Sequence, residues 1–324
     1  MFRFSVPRVM AVVWALAMLP LTGVAAQYPD KPVRLVVPYA AGGGTDIVAR
    51  LLADRMRVAL GQPVVVENKP GANGTIGADM VARAPADGYT LLLGGMGPLA
   101  INPSLVAQMP YEPIKAFAPV VKVSSMPFVL AAGPSAPASD FSSLMAQARG
   151  KDAKVTAANA GEGSPQHLCA LLLAKRADAS FVDVSYKGAA PAINDVIGGS
   201  VQIVCENVGT IRPFVISGKV KPLAVSTAER VALMPDVPSF RELGVKDIDF
   251  SAWFVLVAPA GTPGDVVDRL NKEVNAILRQ PEFVARLADV ANVPLGGSVE
   301  AAREFLVREN RDWPPLLKSV YAPR

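Results

Sequence analysis

Short apolar runs and amphipathic segments alternate along most of the chain. Val33–Val37 is a mainly β-branched run that stops at Pro38, and it predicts a strand. Residues 46–60 carry apolar positions at helical spacing with charged positions between them, and this helix is expected to end at Gly61. Similar strand–helix units recur as far as residues 299–313. Such alternation predicts an α/β protein whose parallel sheets carry helices on both faces.

A connector rich in proline, serine and alanine, residues 133–139, divides this pattern into two parts. Before it, residues 120–123 and 128–131 predict two strands separated by a Ser-Ser-Met-Pro break. One βαβ run precedes the connector and a βαβαβ run follows it, which favours two sheets in two lobes. The C-terminal part of the chain would then complete the first lobe. From the pattern alone, two lobes in simple succession are an alternative.

The N-terminal segment, residues 1–26, has the composition of an export signal. Arg3 and Arg8 precede an uncharged apolar run at residues 9–21, and Val24, Ala25 and Ala26 supply small residues for cleavage. As a helix this run would be about 20 Å long, short of the roughly 30 Å of hydrocarbon in a bilayer. The sequence therefore predicts a cleaved signal peptide and a periplasmic protein.

Composition excludes several classes of function. Arg3 and Arg8 account for two of the 32 basic residues, so cleavage would leave 30 basic against 28 acidic residues, with no basic tract for nucleic acid. His167 is the only histidine and there are only two cysteines, which argues against a zinc site of the usual His/Cys type. We predict no metal, no cofactor and no nucleic-acid partner.

Motifs for enzyme chemistry are missing from the sequence. Ser164 is followed by Pro165 rather than by the x-Gly of a nucleophile elbow, and no Gly-x-x-x-x-Gly-Lys-Ser/Thr phosphate loop occurs. A Cys169–His167 pair would be two residues apart on a helix, where the side chains diverge. A catalytic pair of carboxylates leaves no such signature and stays an alternative. We predict that the protein is not an enzyme.

Two glycine-rich loops join a predicted strand to a predicted helix. The first, residues 38–46, contains three successive glycines, and the second, residues 158–167, lies in the other half of the chain. Glycine lets backbone N–H groups approach a ligand, and the start of a helix favours an anion. Because ligands of open α/β sheets bind at the carboxyl ends of strands, the loops predict an anion-binding cleft. The alternative is that both are merely tight turns.

Several segments resemble the tripartite tricarboxylate transporter receptors, the Bug-type solute-binding proteins. They are residues 28–46, 60–71, 86–92, 186–188, 233–238 and 258–263, in order along nearly the whole mature chain. The resemblance implies a two-lobed periplasmic binding protein of type II, with a mostly parallel sheet flanked by helices in each lobe. Residues 27–125 and 226–324 would form lobe 1, and residues 126–225 lobe 2.

The same resemblance implies a function. Such receptors capture a small carboxylate, such as a di- or tricarboxylate, an acidic amino acid or an aromatic acid, and deliver it to a membrane permease. Signalling to a membrane sensor kinase is the alternative role. We expect a monomer. Carried over to this sequence, the ligand-binding positions are Tyr39, Ala41, Gly42, Gly43, Gly44, Asp46, Gly94, Gly95, Met96, Ala160, Gly161, Gly163, Ser164, His167, Lys187, Glu206 and Asn207.

Some of these residues have a structural interpretation that is favoured over ligand contact. An inward Asp46 would repel an anion, so it is favoured as a residue of the first helical turn. His167 is favoured as a hydrogen-bond partner of nearby backbone, and Lys187 as a solvent-facing residue. Glu206, by contrast, would favour a ligand that carries an amine, amide or hydroxyl group.

Two further expectations concern local structure. Backbone N–H groups of residues 42–45 and 161–164 are expected to hold the anion. Valine at Gly43 is expected to obstruct the approach of the backbone to the carboxylate, and it would also block any positive φ angle there. Cys169 and Cys205 are expected to be buried small hydrophobes rather than a disulfide, although they share a lobe and a disulfide is the alternative.

Overall fold

The computed structural model describes residues 28–150 and 154–321. The predicted signal segment, residues 1–26, lies outside the described residues. In the part of the chain that is described, no helix is both long enough and apolar enough to cross a membrane.

The described residues form an α/β structure in which strands and helices alternate as predicted. The strands are β1 (Val33–Val37), β2 (Val64–Asn68), β3 (Thr90–Gly95), β4 (Phe117–Ala132), β5 (Thr156–Asn159), β6 (Val182–Ser185), β7 (Ile203–Asn207), β8 (Lys221–Val225), β9 (Ser251–Pro259) and β10 (Val293–Pro294). The helices are α1 (Gly44–Leu60), α2 (Thr75–Ala82), α3 (Asn102–Leu105), α4 (Pro113–Ala116), α5 (Phe141–Ala148), α6 (Pro165–Arg176), α7 (Ala189–Ile197), α8 (Val208–Ile216), α9 (Gly264–Leu278), α10 (Pro281–Asp289) and α11 (Val299–Tyr321).

The first sheet is built around three parallel strands in the order β2-β1-β3. β9 pairs antiparallel with β3, and the first part of β4 pairs antiparallel with β9. α1 packs against this sheet through a buried stripe that includes Val48, Leu52 and Met56, and it ends where Gly61 takes a left-handed φ of 69°. The first strand and helix therefore follow the predicted pattern closely.

The second sheet also contains three parallel strands, in the order β7-β5-β6. The last part of β4 lies between β7 and β8 and is antiparallel to both. Each sheet thus has a parallel part and an antiparallel part, and β4 belongs to both sheets.

β4 differs from the sequence prediction, which divided it into two strands. It runs through Phe117–Ala132 without interruption, so the predicted break at residues 124–127 is wrong. Its register with β9 extends to Pro127, and its register with β7 begins at Phe128. Pro127 has no N–H to donate to a neighbouring strand. It lies where the pairing of β4 changes from β9 to β7, so the missing N–H interrupts neither set of hydrogen bonds. The chain passes between the sheets inside this strand, not at the 133–139 connector.

Ser226 stabilises the second passage between the sheets. It is fully buried, its Oγ accepts a hydrogen bond from Phe128 N at 3.0 Å, and the same oxygen donates to Phe250 O at 2.6 Å. We expect Ser226→Ala to lower the free energy of unfolding by about 2–3 kcal/mol, because two buried backbone groups lose their partner. Urea denaturation followed by circular dichroism measures this change.

The matched control is Ser217→Ala, since Ser217 also bonds a carbonyl, Phe214 O, but lies on the surface. That change is expected to alter stability by less than about 0.5 kcal/mol. Equal stability losses in the two variants would contradict the role assigned to Ser226.

The expectation about the cysteines is wrong. Cys169 and Cys205 form a disulfide with a Cα–Cα distance of 6.1 Å. Cys169 lies on the buried side of α6 and Cys205 is a buried residue of β7, and α6 packs against β7. The sequence placed each cysteine correctly in an apolar element, but it did not show that these two elements meet.

Candidate ligand-binding cleft

A cavity of about 730 Å³ lies between the two sheets. The first lobe contributes the β1–α1 loop, the end of β3 and residues of β9, and the second contributes the loops after β5 and β7 together with the start of α7. The lining residues are Tyr39, Gly42, Gly43, Gly44, Thr45, Ile47, Asn73, Gly95, Met96, Met126, Phe128, Ala160, Ser164, Pro165, Gln166, Ala189, Ala190, Ile193, Asn194, Glu206, Asn207, Gly209, Thr210, Phe214, Ala252, Trp253, Phe254, Asp289 and Val290.

The N-terminus of α1 opens into this cavity. The N-cap residue is Gly43, which has no side chain to cap the helix, and the first bond of the helix is Ile47 N to Gly43 O at 3.0 Å. Gly44 and Thr45 come before Ile47 in the first turn, so their N–H groups have no acceptor within the helix, and both residues line the cavity. Because first-turn N–H groups lack intrahelical acceptors and the helix dipole is positive here, they form a site that favours an anion.

The glycines of the β1–α1 loop differ from one another in backbone conformation and in the space around them. Gly43 has a φ of −77°, which any residue adopts, so valine would block no positive φ angle at this position. The left-handed residue is Gly42, with a φ of 81°. At Gly44, a Cβ would lie 3.2 Å from Met126 Sδ, and Met126 also lines the cavity. A side chain at Gly44 would therefore enter the cavity.

Asp46 supports the loop and does not line the cavity. Its carboxylate accepts hydrogen bonds from Gly42 N at 2.9 Å, from Arg50 Nε at 2.9 Å and from Asn68 Nδ2 at 3.0 Å. Burial raises the pKa of Asp46, but the bonds from Arg50, Gly42 and Asn68 outweigh it and hold the pKa below its ordinary value. An ionised Asp46 thus fixes Gly42 in position.

The loop after β3 contributes a second wall. Gly95 and Met96 line the cavity, and a Cβ at Gly95 would lie 3.3 Å from the Tyr39 hydroxyl. Gly94 does not line it, because its backbone is packed against Leu99, whose Cδ1 would lie 2.5 Å from an added Cβ. Gly94 thus allows close packing against Leu99, whereas Gly95 faces the cavity.

In the second lobe, the loop between β5 and α6 is held by its own hydrogen bonds. Ser164 caps α6 by accepting from His167 N at 3.3 Å, and His167 Nδ1 accepts from Gly163 N at 3.2 Å. His167 Nε2 lies 3.6 Å from Asp183 Oδ2. Ala160 and Ser164 line the cavity, whereas His167 does not. The histidine therefore positions the loop, as the structural interpretation favoured.

The start of α7 is a lining element that the sequence analysis did not predict. Its N-cap is Gly188, with a φ of 111°, and the next two residues, Ala189 and Ala190, line the cavity. Lys187, one residue before the cap, is not among the lining residues. As at α1, a glycine cap leaves first-turn N–H groups at the cavity without a side-chain acceptor from the cap residue.

Glu206 and Asn207 close the cavity at the end of β7. Asn207 caps α8 by accepting from Gly209 N at 3.0 Å and Thr210 N at 3.3 Å. Glu206 is 1% exposed and accepts from Asn207 N at 2.7 Å and from Gln166 Nε2 at 3.1 Å. Burial raises the pKa of Glu206 to about 7, against these two hydrogen bonds, which lower it.

The structure therefore brings together ten of the predicted site residues. Those on the lining are Tyr39, Gly42, Gly43, Gly44, Gly95, Met96, Ala160, Ser164, Glu206 and Asn207. Those that the structure places off the lining are Ala41, Asp46, Gly94, Gly161, Gly163, His167 and Lys187. Among the residues that sequence analysis missed, Gln166 follows the predicted Ser164 by two positions. Trp253 lies in a strand whose apolar run gave no sign of which face meets the cavity.

The charge of the lining is unusual for a site that favours an anion. Of the described residues, those on the lining include no lysine, arginine or histidine, and the charged ones are Glu206 and Asp289. Five aromatic residues are also among the lining residues, namely Tyr39, Phe128, Phe214, Trp253 and Phe254. The N–H groups of helix starts are thus the main positive features of the cavity. In the same described ranges, no group of three or more His, Cys, Asp or Glu residues could hold a metal ion.

Two lobes joined by long strands, with helix starts that face a cavity between them, define a solute-binding protein of the periplasmic type. The sequence profile of the tripartite tricarboxylate transporter family receptors matches residues 48–321. This chain belongs to that family. The family is one of substrate-binding receptors and not of enzymes, as the sequence predicted.

Individual relatives agree with this assignment. BugT of Bordetella pertussis is 35% identical over 296 residues, which cover 91% of this chain and 91% of BugT. The solved structure of the periplasmic binding protein BugD is 39% identical, with a TM-score of 0.80 over 90% of this chain and 98% of that one. MatC from Rhodopseudomonas palustris, solved with bound malate, is 33% identical, with a TM-score of 0.79 over 90% of this chain and 100% of MatC.

Proposed function

We propose that this protein captures a small organic carboxylate in the cleft between its lobes. The observation that carries the proposal is the start of α1, whose Gly44 and Thr45 line a cavity with no cationic side chain among the described lining residues. A carboxylate placed there would accept hydrogen bonds from backbone N–H groups and interact favourably with the helix dipole. MatC, which is 33% identical to this chain, was solved with bound malate, a dicarboxylate.

The ligand would touch both lobes. α1 belongs to the first lobe and the start of α7 belongs to the second, and both begin after a glycine cap. N–H groups of Ala189 and Ala190 would bind a second acceptor group of the ligand, while apolar residues of the lining cover its apolar part. A ligand that bonds to both lobes favours the closed arrangement, because it gains those contacts only when the lobes approach each other.

We further propose how the lobes and the cellular role are organised. Residues 27–125 and 226–324 form lobe 1, and residues 126–225 form lobe 2. The pairing of β1, β2, β3 and β9 in one sheet and of β5, β6 and β7 in the other supports a division into two lobes. The signal segment at residues 1–26 would direct the protein to the periplasm, where it would deliver its ligand to a membrane permease.

A thermal-shift screen tests the binding function. The mature chain is mixed with sodium salts of malate, succinate, glutarate, benzoate, aspartate and glutamate, and hits are titrated by calorimetry. A carboxylate at a hundredfold excess over its dissociation constant is expected to stabilise the folded protein by about 2.7 kcal/mol. Stabilisation only by neutral or cationic compounds in a parallel set of sugars and amines would contradict the proposal.

A further inference from the structure

We propose that Glu206 forms an acceptor subsite in the cleft for an ammonium or amide N–H of the ligand. This receptor would then select carboxylates that carry such a donor over plain dicarboxylates. The inference rests on the proposed function, because it requires that a carboxylate binds in the same cleft. It concerns the end of the ligand that does not meet α1.

The first support is the hydrogen bonding of Glu206. Its Oε1 accepts from Asn207 N at 2.7 Å and from Gln166 Nε2 at 3.1 Å, while Oε2 has only the longer contact from Gln166 at 3.3 Å. A carboxylate offers about four lone-pair sites. Glu206 therefore keeps acceptor capacity on a side chain that lines the cavity.

The second support is the absence of a counter-charge. Both partners of Glu206 are neutral amides, and no lysine or arginine of the described residues forms an ion pair with it. The other charged residue on the lining, Asp289, is also acidic and is exposed. A buried carboxylate without a cation is costly, and a ligand ammonium would supply the missing charge.

The residues around Glu206 favour a strong interaction between its carboxylate and a ligand ammonium. On α6, the residue that contacts it is the neutral Gln166, and the next residue, His167, is directed to Gly163 and Asp183. On the opposite strand, β4, the register partner is the apolar Val129. Glu206 is itself 1% exposed, so little water screens a charge pair that forms there.

The two ligand classes should respond oppositely to pH. Burial raises the pKa of Glu206 to about 7, so the folded protein without ligand holds this group partly protonated near neutral pH. An ammonium ligand favours the ionised form, so its affinity should rise as the pH rises through about 7. A plain dicarboxylate favours the protonated form, so its affinity should fall over the same range.

Calorimetric titrations with matched ligands test the inference. The pairs are L-glutamate against glutarate and L-aspartate against succinate, which differ only by an ammonium group. A third pair, succinamate against succinate, tests an amide donor. The wild-type protein is expected to bind the donor-bearing member of at least one pair tenfold or more tightly.

The variant Glu206→Gln is expected to abolish that preference and to bind the plain diacid at least as tightly as the wild type. The pH dependence near 7 should also be lost. Glu304→Gln is the matched control, because it makes the same change at an exposed carboxylate of α11 that does not line the cavity, and it should change the preference by less than twofold. Thermal unfolding confirms that both variants are folded.

Three outcomes separate this inference from the proposed function. A preference of the succinamate pair alone, lost in Glu206→Gln, supports an amide donor. Tight binding of plain diacids with no donor preference, or a preference unchanged in Glu206→Gln, overturns the inference and leaves the proposed function standing. If no carboxylate binds, the proposed function fails and the inference falls with it.

Discussion

Replacing Gly44 with valine is expected to weaken carboxylate binding at least hundredfold, or by about 2.7 kcal/mol. Gly44 is the first residue of α1, and an added Cβ would lie 3.2 Å from Met126 Sδ inside the cavity lining. The methyl groups of valine would fill the space beside the first-turn N–H groups, where the carboxylate must approach. Calorimetry with the hit from the carboxylate screen measures the loss.

Gly264→Val is the matched control for this prediction. Gly264 is also the first residue of a helix, α9, but it has open space around its Cα and is not part of the cavity lining. Its replacement tests the cost of valine at a helix start without touching the cleft, and affinity should change less than twofold. Equal effects of the two substitutions would show that Gly44 acts through helix stability and not through the ligand.

Removal of the Cys169–Cys205 disulfide is expected to lower the free energy of unfolding by roughly 4 kcal/mol. This is the chain-entropy value for a loop closed over a sequence separation of 36 residues. The link joins α6, which carries Gln166, to β7, which carries Glu206, so it also holds the two residues of one hydrogen bond in place. The double variant Cys169→Ala, Cys205→Ala, studied by chemical denaturation, measures the loss.

Two small cavities created by alanine would also destabilise the double variant, and reduction of the wild-type disulfide controls for them. The reduced protein keeps both sulfur atoms, so its loss reports the covalent link alone. Thiol titration establishes that reduction is complete. A fully reduced protein as stable as the oxidised one would contradict the role given to this disulfide.

Local features of the fold could be predicted from the sequence because their signals are local. Val33–Val37 and the helix that ends at Gly61 were placed correctly, since β-branched runs, helical spacing and a C-terminal glycine act over a few residues. The continuous β4 was not predicted, because proline and serine usually interrupt a strand. Only the tertiary pairing shows that Pro127 lies between two partners.

The candidate site also has parts that local sequence predicts and parts that depend on tertiary packing. Loops that follow strands were found from their glycines, and they bring Gly44 and Ser164 to one cavity. The disulfide and the Gln166–Glu206 bond depend on how α6 packs on β7, which no local pattern contains. The start of α7 was missed for a different reason, since alanines after a glycine carry no side-chain signal and only backbone N–H groups face the cavity.

A crystal structure of the complex with the carboxylate that gives the largest thermal shift tests the central claim most directly. We expect a carboxylate oxygen within about 2.7–3.2 Å of the backbone nitrogen of Gly44 or Thr45, in the cleft between the lobes. A carboxylate held by a lysine or arginine side chain, or bound outside this cleft, would contradict the account.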